Sequence, residues 1–147
     1  MELIYLDYNC FQRSFDDPLQ TRIQLEAIAC RGLFIKAEAK LVTLIWSFMH
    51  LDETLLCPFP DRQNAVLGLS SLCQVRLGPK TEIMDIANFY QKTANLSSKD
   101  AVHLACSVYL KADFFLTCDE QLIRRSTRLN LEIIIINPVD YIRREMN

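Results

Sequence analysis

Short apolar runs alternate along the chain with stretches in which apolar residues recur every three or four positions, a pattern of strands feeding helices. Leu3 to Leu6 reads as a buried strand that stops at Asp7. Asp16, Asp17 and Pro18 predict a helix start, because Asp caps and Pro suits the first turn. Ile23, Ala27 and Ile28 then repeat at helical spacing, and the helix runs to about Lys36. Leu41 to Trp46 is a second strand; Ser47 is placed to cap a helix with Phe48, Leu51 and Leu55 on one face, broken by Cys57, Pro58 and Pro60.

Arg62 to Cys73 reads as a helix and Gln74 to Leu77 as a short strand closed by Gly78 and Pro79. A helix from about Thr81 to Lys92 follows. Ser97 opens another, with Ala101, Leu104, Ala105 and Val108 on its buried face. Phe114 to Thr117 is a strand, Asp119 to Arg125 a short helix, Ile133 to Ile136 a β-branched strand ended by Asn137 and Pro138, and Val139 to Arg144 a last helical turn or two. This order predicts an α/β fold, a three-layer α/β/α sandwich around a mostly parallel central sheet, as a single domain over 1–147.

Composition fits that picture: hydrophobic residues make up 50% of the 147 positions and charged residues 23%, enough for one substantial core. A net charge of -2 carries no global signature of a nucleic-acid binder, so any such contact must be local. The start MELIYLDYNC lacks a positive leader region, and no apolar stretch approaches the roughly 20 residues that cross a bilayer. A soluble, cytoplasmic protein with no membrane contact is expected. The six cysteines include no CxxC pair and several lie within apolar patterns, which suits core residues in a reducing compartment rather than zinc ligands or a disulfide framework.

Only three glycines occur, so neither GxGxxG nor GxxxxGK[ST] can be written, which argues against nucleotide-dependent kinases and dinucleotide-binding dehydrogenases. His50 and His103 lie far apart in sequence, and no GxSxG elbow supports a serine hydrolase.

Candidate chemistry rests on four acids, Asp7, Glu53, Asp100 and Asp119, each at the end of a predicted strand or near the start of a predicted helix. In an open α/β sheet such points meet in one crevice. Carboxylates gathered there repel one another, and hard oxygen ligands favour Mg²⁺ or Mn²⁺, so the oxygens of Asp7, Asp100 and Asp119 are expected close enough to share a cation. Each has a structural alternative: Asp100 completes an SSKD capping box, Asp119 suits a helix N-terminus, Asp7 a turn, and Glu53 a solvated helix face.

LIYLDYNCF, SFMHLDE, SSKDAVHLACSVYL and FFLTCDEQL together resemble the PIN-domain ribonucleases, especially VapC-like toxins of toxin–antitoxin pairs, over Leu3 to Pro138. The family pattern falls on Asp7 with Asn9, on Ser47 with Glu53, on Asp100 with Ala101 and Ala105, and on Thr117 with Asp119. Tyr8 stands where the family often has a small Ser or Thr, and Asp52 beside Glu53 offers a second helical acid. The resemblance implies a metal-dependent endoribonuclease in which Asp7, Asp100, Asp119 and Glu53 hold Mg²⁺ or Mn²⁺. Asn9, Ser47 and Thr117 would support them, and the products would carry a 5′-phosphate and a 3′-hydroxyl. It further implies a homodimer and a cognate antitoxin as partners beside the RNA substrate. Arg13, Arg124, Arg125 and Arg128 are candidates for RNA phosphates, or else a solvated basic face. Two other readings stand beside this one: an inactive PIN-like binding module, and a haloacid-dehalogenase-like phosphatase, whose D-x-D motif is opposed by Asn at position 9.

Overall fold

The computed structural model describes residues 1–146. Five parallel strands, β1 (Leu3–Leu6), β2 (Thr43–Ser47), β3 (Val75–Leu77), β4 (Phe114–Leu116) and β5 (Ile134–Ile136), form one sheet in the order β3-β2-β1-β4-β5. The chain builds outward from β1 to one side, then returns to pair β4 on the other, so the order reverses beside β1. Parallel pairing needs crossovers, which are supplied by α2 (Thr21–Glu38), α3 (Phe48–Leu55), α4 (Pro60–Ser70), α5 (Thr81–Ala94), α6 (Ser98–Tyr109) and α7 (Glu120–Ser126). A short α1 (Tyr8–Gln12) follows β1, and α8 (Pro138–Glu145) ends the described chain.

Strand residues alternate between two cores, as a pleat of period two requires. Ile4, Leu6, Leu44, Trp46, Phe114 and Leu116 face one layer with Phe11, Cys30, Leu33 and Tyr141 from α1, α2 and α8. Tyr5, Ile45 and Phe115 face the other, packed with Ile83, Ala87, Leu104 and Ala105 from α5 and α6. The expected three-layer sandwich is therefore present. No helix among the described residues is long and apolar enough to cross a membrane.

Strand 2 begins at Thr43 rather than Leu41, which is exposed. The first long helix begins at Thr21: Asp17 accepts from the Leu19 N–H in a preceding turn instead of capping, and α1 with its 3₁₀ extension over Arg13–Phe15 occupies the segment before it. Its buried face is also not the Ile23, Ala27, Ile28 row. Glu26, Ala29, Cys30, Leu33, Phe34 and Ala37 point inward, while Ile28 is 60% exposed. The inner row passes through a carboxylate that accepts from Arg13 Nε (2.9 Å), Arg22 Nε (3.2 Å) and Asn137 Nδ2 (2.6 Å). In α3 the same inversion occurs: His50 and Thr54 are buried and Leu51 and Leu55 exposed. Of α6's expected face, Val108 is only half-buried, and the Asp100 carboxylate does not return to the Ser97 N–H; Ser97 alone caps by accepting from the Asp100 N–H.

With so few glycines, the left-handed positions after helices fall to other residues. Lys40 (φ 61°), Asn95 (55°), Lys111 (56°) and Asn130 (49°) fill them. A side chain there crowds its own carbonyl, whereas glycine does not, although glycine loses more freedom on folding. Lys40→Gly and Lys111→Gly are therefore each expected to raise the unfolding free energy by about 0.5–1 kcal/mol. Urea denaturation of each variant checks this, and an unchanged or lowered midpoint would mean that the exposed lysines contribute more than their strain.

Candidate functional site

Because β1 and β4 are neighbours, their carboxyl ends open side by side at the point where strand order reverses, the usual ligand crevice of such sheets. Pairing continues past the strands: the Asp7 N–H donates to the Leu116 carbonyl at 2.8 Å. Asp7 N-caps α1 through Oδ1, which accepts from the Tyr8 N–H (2.8 Å). Its Oδ2 accepts from Thr117 Oγ1 (2.7 Å) and Asn9 Nδ2 (3.2 Å). Asn9 also bridges outward, donating to Thr117 Oγ1 and accepting from the Cys118 N–H, both at 3.2 Å. Asn9 and Thr117 thus hold Asp7.

An open cleft of about 390 Å³ lies over these residues, and Asp7, Glu53, Asp100 and Asp119 all line it. Asp119 N-caps α7, and both bonds, from the Gln121 and Leu122 N–H groups, go to Oδ1. Glu53 rather than Asp52 faces the cleft; Asp52 is exposed elsewhere on α3. The four acids ring the cleft, and among the described residues no three of them bring their oxygens within 4.8 Å of one another, the spread that mutual repulsion of like charges gives. Among the described residues, the one set of three or more His, Cys, Asp or Glu side chains with donor atoms all within 4.8 Å of one another is Cys10, Cys30 and Cys118.

Burial sets the electrostatics. Asp7 is 5% exposed, and loss of hydration pushes its carboxyl up to about 6, against the pull of His103 and of the Thr117 hydroxyl. Asp100 is also raised, first by burial and further by the nearby charges of Asp119 and Glu53, with Ser97 opposing. Neither Asp7, Asp100 nor Asp119 pairs with a cationic side chain among the described residues. A set of carboxylate oxygens without cationic partners fits a hard divalent ion in donor chemistry.

Glu53 is held differently. His103 Nε2 lies 2.6 Å from Glu53 Oε1, His103 Nδ1 2.6 Å from the Tyr5 hydroxyl, and that hydroxyl 2.8 Å from Ser47 Oγ. His50 completes the line: its Nδ1 accepts from the Ser47 N–H (2.9 Å), so its Nε2–H donates to the Leu6 carbonyl (2.7 Å). Burial, with His103 beside it, holds His50 well below the usual histidine range and keeps it neutral. Ser47 Oγ also lies 3.1 Å from His50 Nδ1, so Glu53, His103, Tyr5, Ser47 and His50 are joined in one hydrogen-bonded network. Ser47 thus acts two residues away from Glu53, outside the cleft, while also capping α3. The two histidines, distant in sequence, sit with rings 5.0 Å apart.

None of the four arginines singled out from the sequence lines the cleft. Arg13 is engaged by Glu26 and Asp16, each at 2.9 Å, and Arg125 donates to the Asn95 carbonyl. Arg124 and Arg128 are exposed on the flank. The cations in the cleft are Lys99 and Arg62, both missed in the sequence. Lys99 could have been found from its place immediately before Asp100. Arg62 lies in a stretch without a motif; its guanidinium stacks between Phe15 and Phe59 (5.2 and 5.3 Å to the ring centres) and donates to the Phe15 carbonyl.

A larger cavity of about 1320 Å³ opens near the amino ends of β4 and β5. Most of its acids are engaged, Glu2 by the Tyr141 hydroxyl, Asp113 by the Leu3 N–H and Glu145 by Lys36.

No family model matches the chain, and no curated protein matches it. Among solved structures the chain is similar to one from the crystal structure of VapBC2 from Rickettsia felis bound to a DNA fragment from their promoter. The TM-score is 0.58 over 92% of this chain and 98% of that one, at 11% sequence identity. The likeness is one of fold, and it agrees with a PIN-like α/β/α sandwich.

Proposed function

We propose that the protein is a metal-dependent endoribonuclease whose site is the cleft of Asp7, Glu53, Asp100 and Asp119. The observation that carries the reading is a buried carboxylate, Asp7, fixed by three hydrogen bonds at the strand-order switch and sharing its cleft with Asp100 and Asp119, none of the three in an ion pair with a cationic side chain among the described residues. The shared fold of a chain from a VapBC complex supports a toxin of that kind with an antitoxin as partner, and a second copy of the chain is part of the same proposal. Asp7, Asp100 and Asp119 would hold Mg²⁺ or Mn²⁺, with Glu53 bound directly or through water. When bound, such an ion supplies a Lewis acid that screens the scissile phosphate and acidifies water.

The chain's own residues supply the rest. Thr117 and Asn9 fix the lone-pair directions of Asp7, and His103 fixes Glu53 from below. Lys99 and Arg62 give the cleft two positive charges for the phosphates flanking the cut, and Arg124 and Arg125 on α7, with the exposed Arg128 on the 3₁₀ turn Thr127–Leu129 after it, extend that surface.

Purified protein is expected to cut single-stranded RNA with Mg²⁺ or Mn²⁺ and to stop on addition of EDTA. Asp7→Asn and Asp100→Asn should abolish cleavage with unchanged circular dichroism. Cleavage that survives EDTA or the Asp7 change would refute the assignment, while hydrolysis of small phosphoesters in place of RNA would favour the phosphatase reading.

The two cleft cations give a second outcome. Lys99→Ala should reduce the slope of log affinity for RNA against log salt by about 0.7, the value for one lost phosphate contact on a single strand. Filter binding at several salt concentrations measures it, and an unchanged slope would remove Lys99 from the RNA path.

Asp7 also gives a stability signature. Its folded-state value of about 6 lies above the ordinary 3.8, so the folded protein binds the extra proton between these values. Stability from this group is full below about pH 4 and is lost as pH rises through about 6. Between pH 3 and 7 the EDTA-treated wild type should lose about 3 kcal/mol more than Asp7→Asn, at about 1.4 kcal/mol per unit of difference between the folded and unfolded values. Mn²⁺ at pH 7 should return much of that loss in the wild type alone. Parallel pH curves for the two proteins would show that Asp7 carries no such penalty.

A further inference from the structure

Three thiols lie apart from the acids, on the other side of Asn9. Cys10 comes from α1, Cys30 from the middle of α2 and Cys118 from the turn between β4 and α7, and their sulfurs lie within 4.8 Å of one another. Each is at most 3% exposed, and none is in a disulfide. Buried cysteines that merely fill a core have no need to meet sulfur to sulfur from three separate elements. Cys10 is aimed by weak bonds from its Sγ to the Leu116 carbonyl (3.4 Å) and Asn9 Oδ1 (3.5 Å).

We propose that Cys10, Cys30 and Cys118 form a three-coordinate thiolate site for Cu(I), linked through Asn9 to the acidic cleft. Three sulfurs around one ion at about 2.3 Å lie about 4.0 Å from each other, so the triangle needs little closure. Thiolate donors select soft ions, and Cu(I) is the soft ion among the physiological candidates that does not demand a fourth ligand, as structural zinc does. The carboxylate of Glu26 is taken by Arg13, Arg22 and Asn137 and is not available to complete a zinc tetrahedron. Binding exchanges three S–H bonds for three Cu–S bonds and releases three protons to solvent, with no change of oxidation state. The cluster then carries a net charge of -2, and the Arg13 guanidinium is near enough to Cys118 to offset part of it.

The link to the cleft is covalent and short. Cys10 follows Asn9 and Cys118 stands between Thr117 and Asp119, while the Cys118 N–H donates to Asn9, which itself donates to Asp7. A sulfur that moves toward an ion therefore moves the groups that orient two of the acids. This link, unlike the thiolate site itself, rests on the proposed function of the cleft.

The test is an anaerobic competition of the reduced full chain against a chromophoric Cu(I) chelator such as bicinchoninate. One equivalent should be withdrawn from the chelator, with thiolate-to-copper charge-transfer absorbance. Cys30→Ala and Cys10→Ala should each weaken retention by more than about 100-fold, since even outer-shell losses reach ~10–100-fold. Cys57→Ala, at a half-exposed thiol outside the triangle, should retain copper as the wild type does. Two alanine variants guard against one failing to fold, as judged by circular dichroism. Copper held equally by all the variants, or zinc held in preference to Cu(I), would overturn the site. Mn²⁺ binding followed by electron paramagnetic resonance reads the link: copper should change Mn²⁺ affinity about 5-fold or more in the wild type and not in Cys30→Ala. Mn²⁺ affinity indifferent to copper would overturn the link. Absence of Mn²⁺ binding in any form of the protein would instead overturn the nuclease reading, and the thiolate site would stand on its own result.

Discussion

The pairing of β1 with β4 is the constraint on which the cleft depends. Leu6 lies opposite Leu116, and the ladder runs one bond further, from the Asp7 N–H to the Leu116 carbonyl. That register brings Asp7 against the Thr117 hydroxyl across 110 residues of chain. Both strands are buried on both faces, with Ile4 and Leu6 toward one core and Tyr5 toward the other, so a slip of one residue would exchange the two sets and turn the Tyr5 hydroxyl into an apolar layer. The same alternation that fixes the sheet thereby fixes which carboxylate faces which hydroxyl.

A second dependency runs through the opposite face of β1. Tyr5 ties Ser47 at the end of β2 to His103 on α6, and His103 reaches Glu53 on α3. Burial keeps the Tyr5 proton in place, its hydroxyl being raised well above the ordinary value. A buried polar line of this kind is costly if any member loses its partner and rigid if none does, and every buried side-chain nitrogen and oxygen among the described residues has one. Glu53 is consequently positioned by the core as well as by its own helix.

What was legible in the sequence follows from this. The strands announced themselves because they are continuous apolar runs, and β1, β4 and β5 lie within a residue of the expected limits. The points after β1 and β4 carried their acids on fixed sites, so Asp7 and Asp119 could be placed from the pattern alone. Helix faces were misread wherever the buried stripe contains a polar residue. In α2 the inner row includes Glu26 and in α3 it is His50 and Thr54, so the apolar rows that the eye follows, Ile28 in one and Leu51 with Leu55 in the other, face outward. Periodicity reports polarity, and it cannot distinguish a buried polar group whose partners lie on other elements. The histidine line, the thiol triangle and the role of Arg62 were hidden for the same reason, since each exists only through contacts distant in sequence.

Glu26 and Asp7 show how the fold treats a buried carboxylate in two different ways. Glu26 is fully buried and is given two guanidinium groups and an amide, each on a different part of the chain, which is what a structural charge requires. Asp7 is nearly as buried and receives a hydroxyl, an amide and a backbone N–H, all neutral, while its charged neighbours in the cleft are mostly of its own sign. Neutral donors aim a carboxylate without cancelling its charge. Arginine was available nearby, since Arg13 lies on the 3₁₀ turn that follows α1 and is directed to Glu26 instead. One buried acid is neutralised so fully and another left oriented but uncompensated that the proposed metal site rests on this contrast, and the position of the second acid at the switch point is the physical reason to test a phosphodiester beside it.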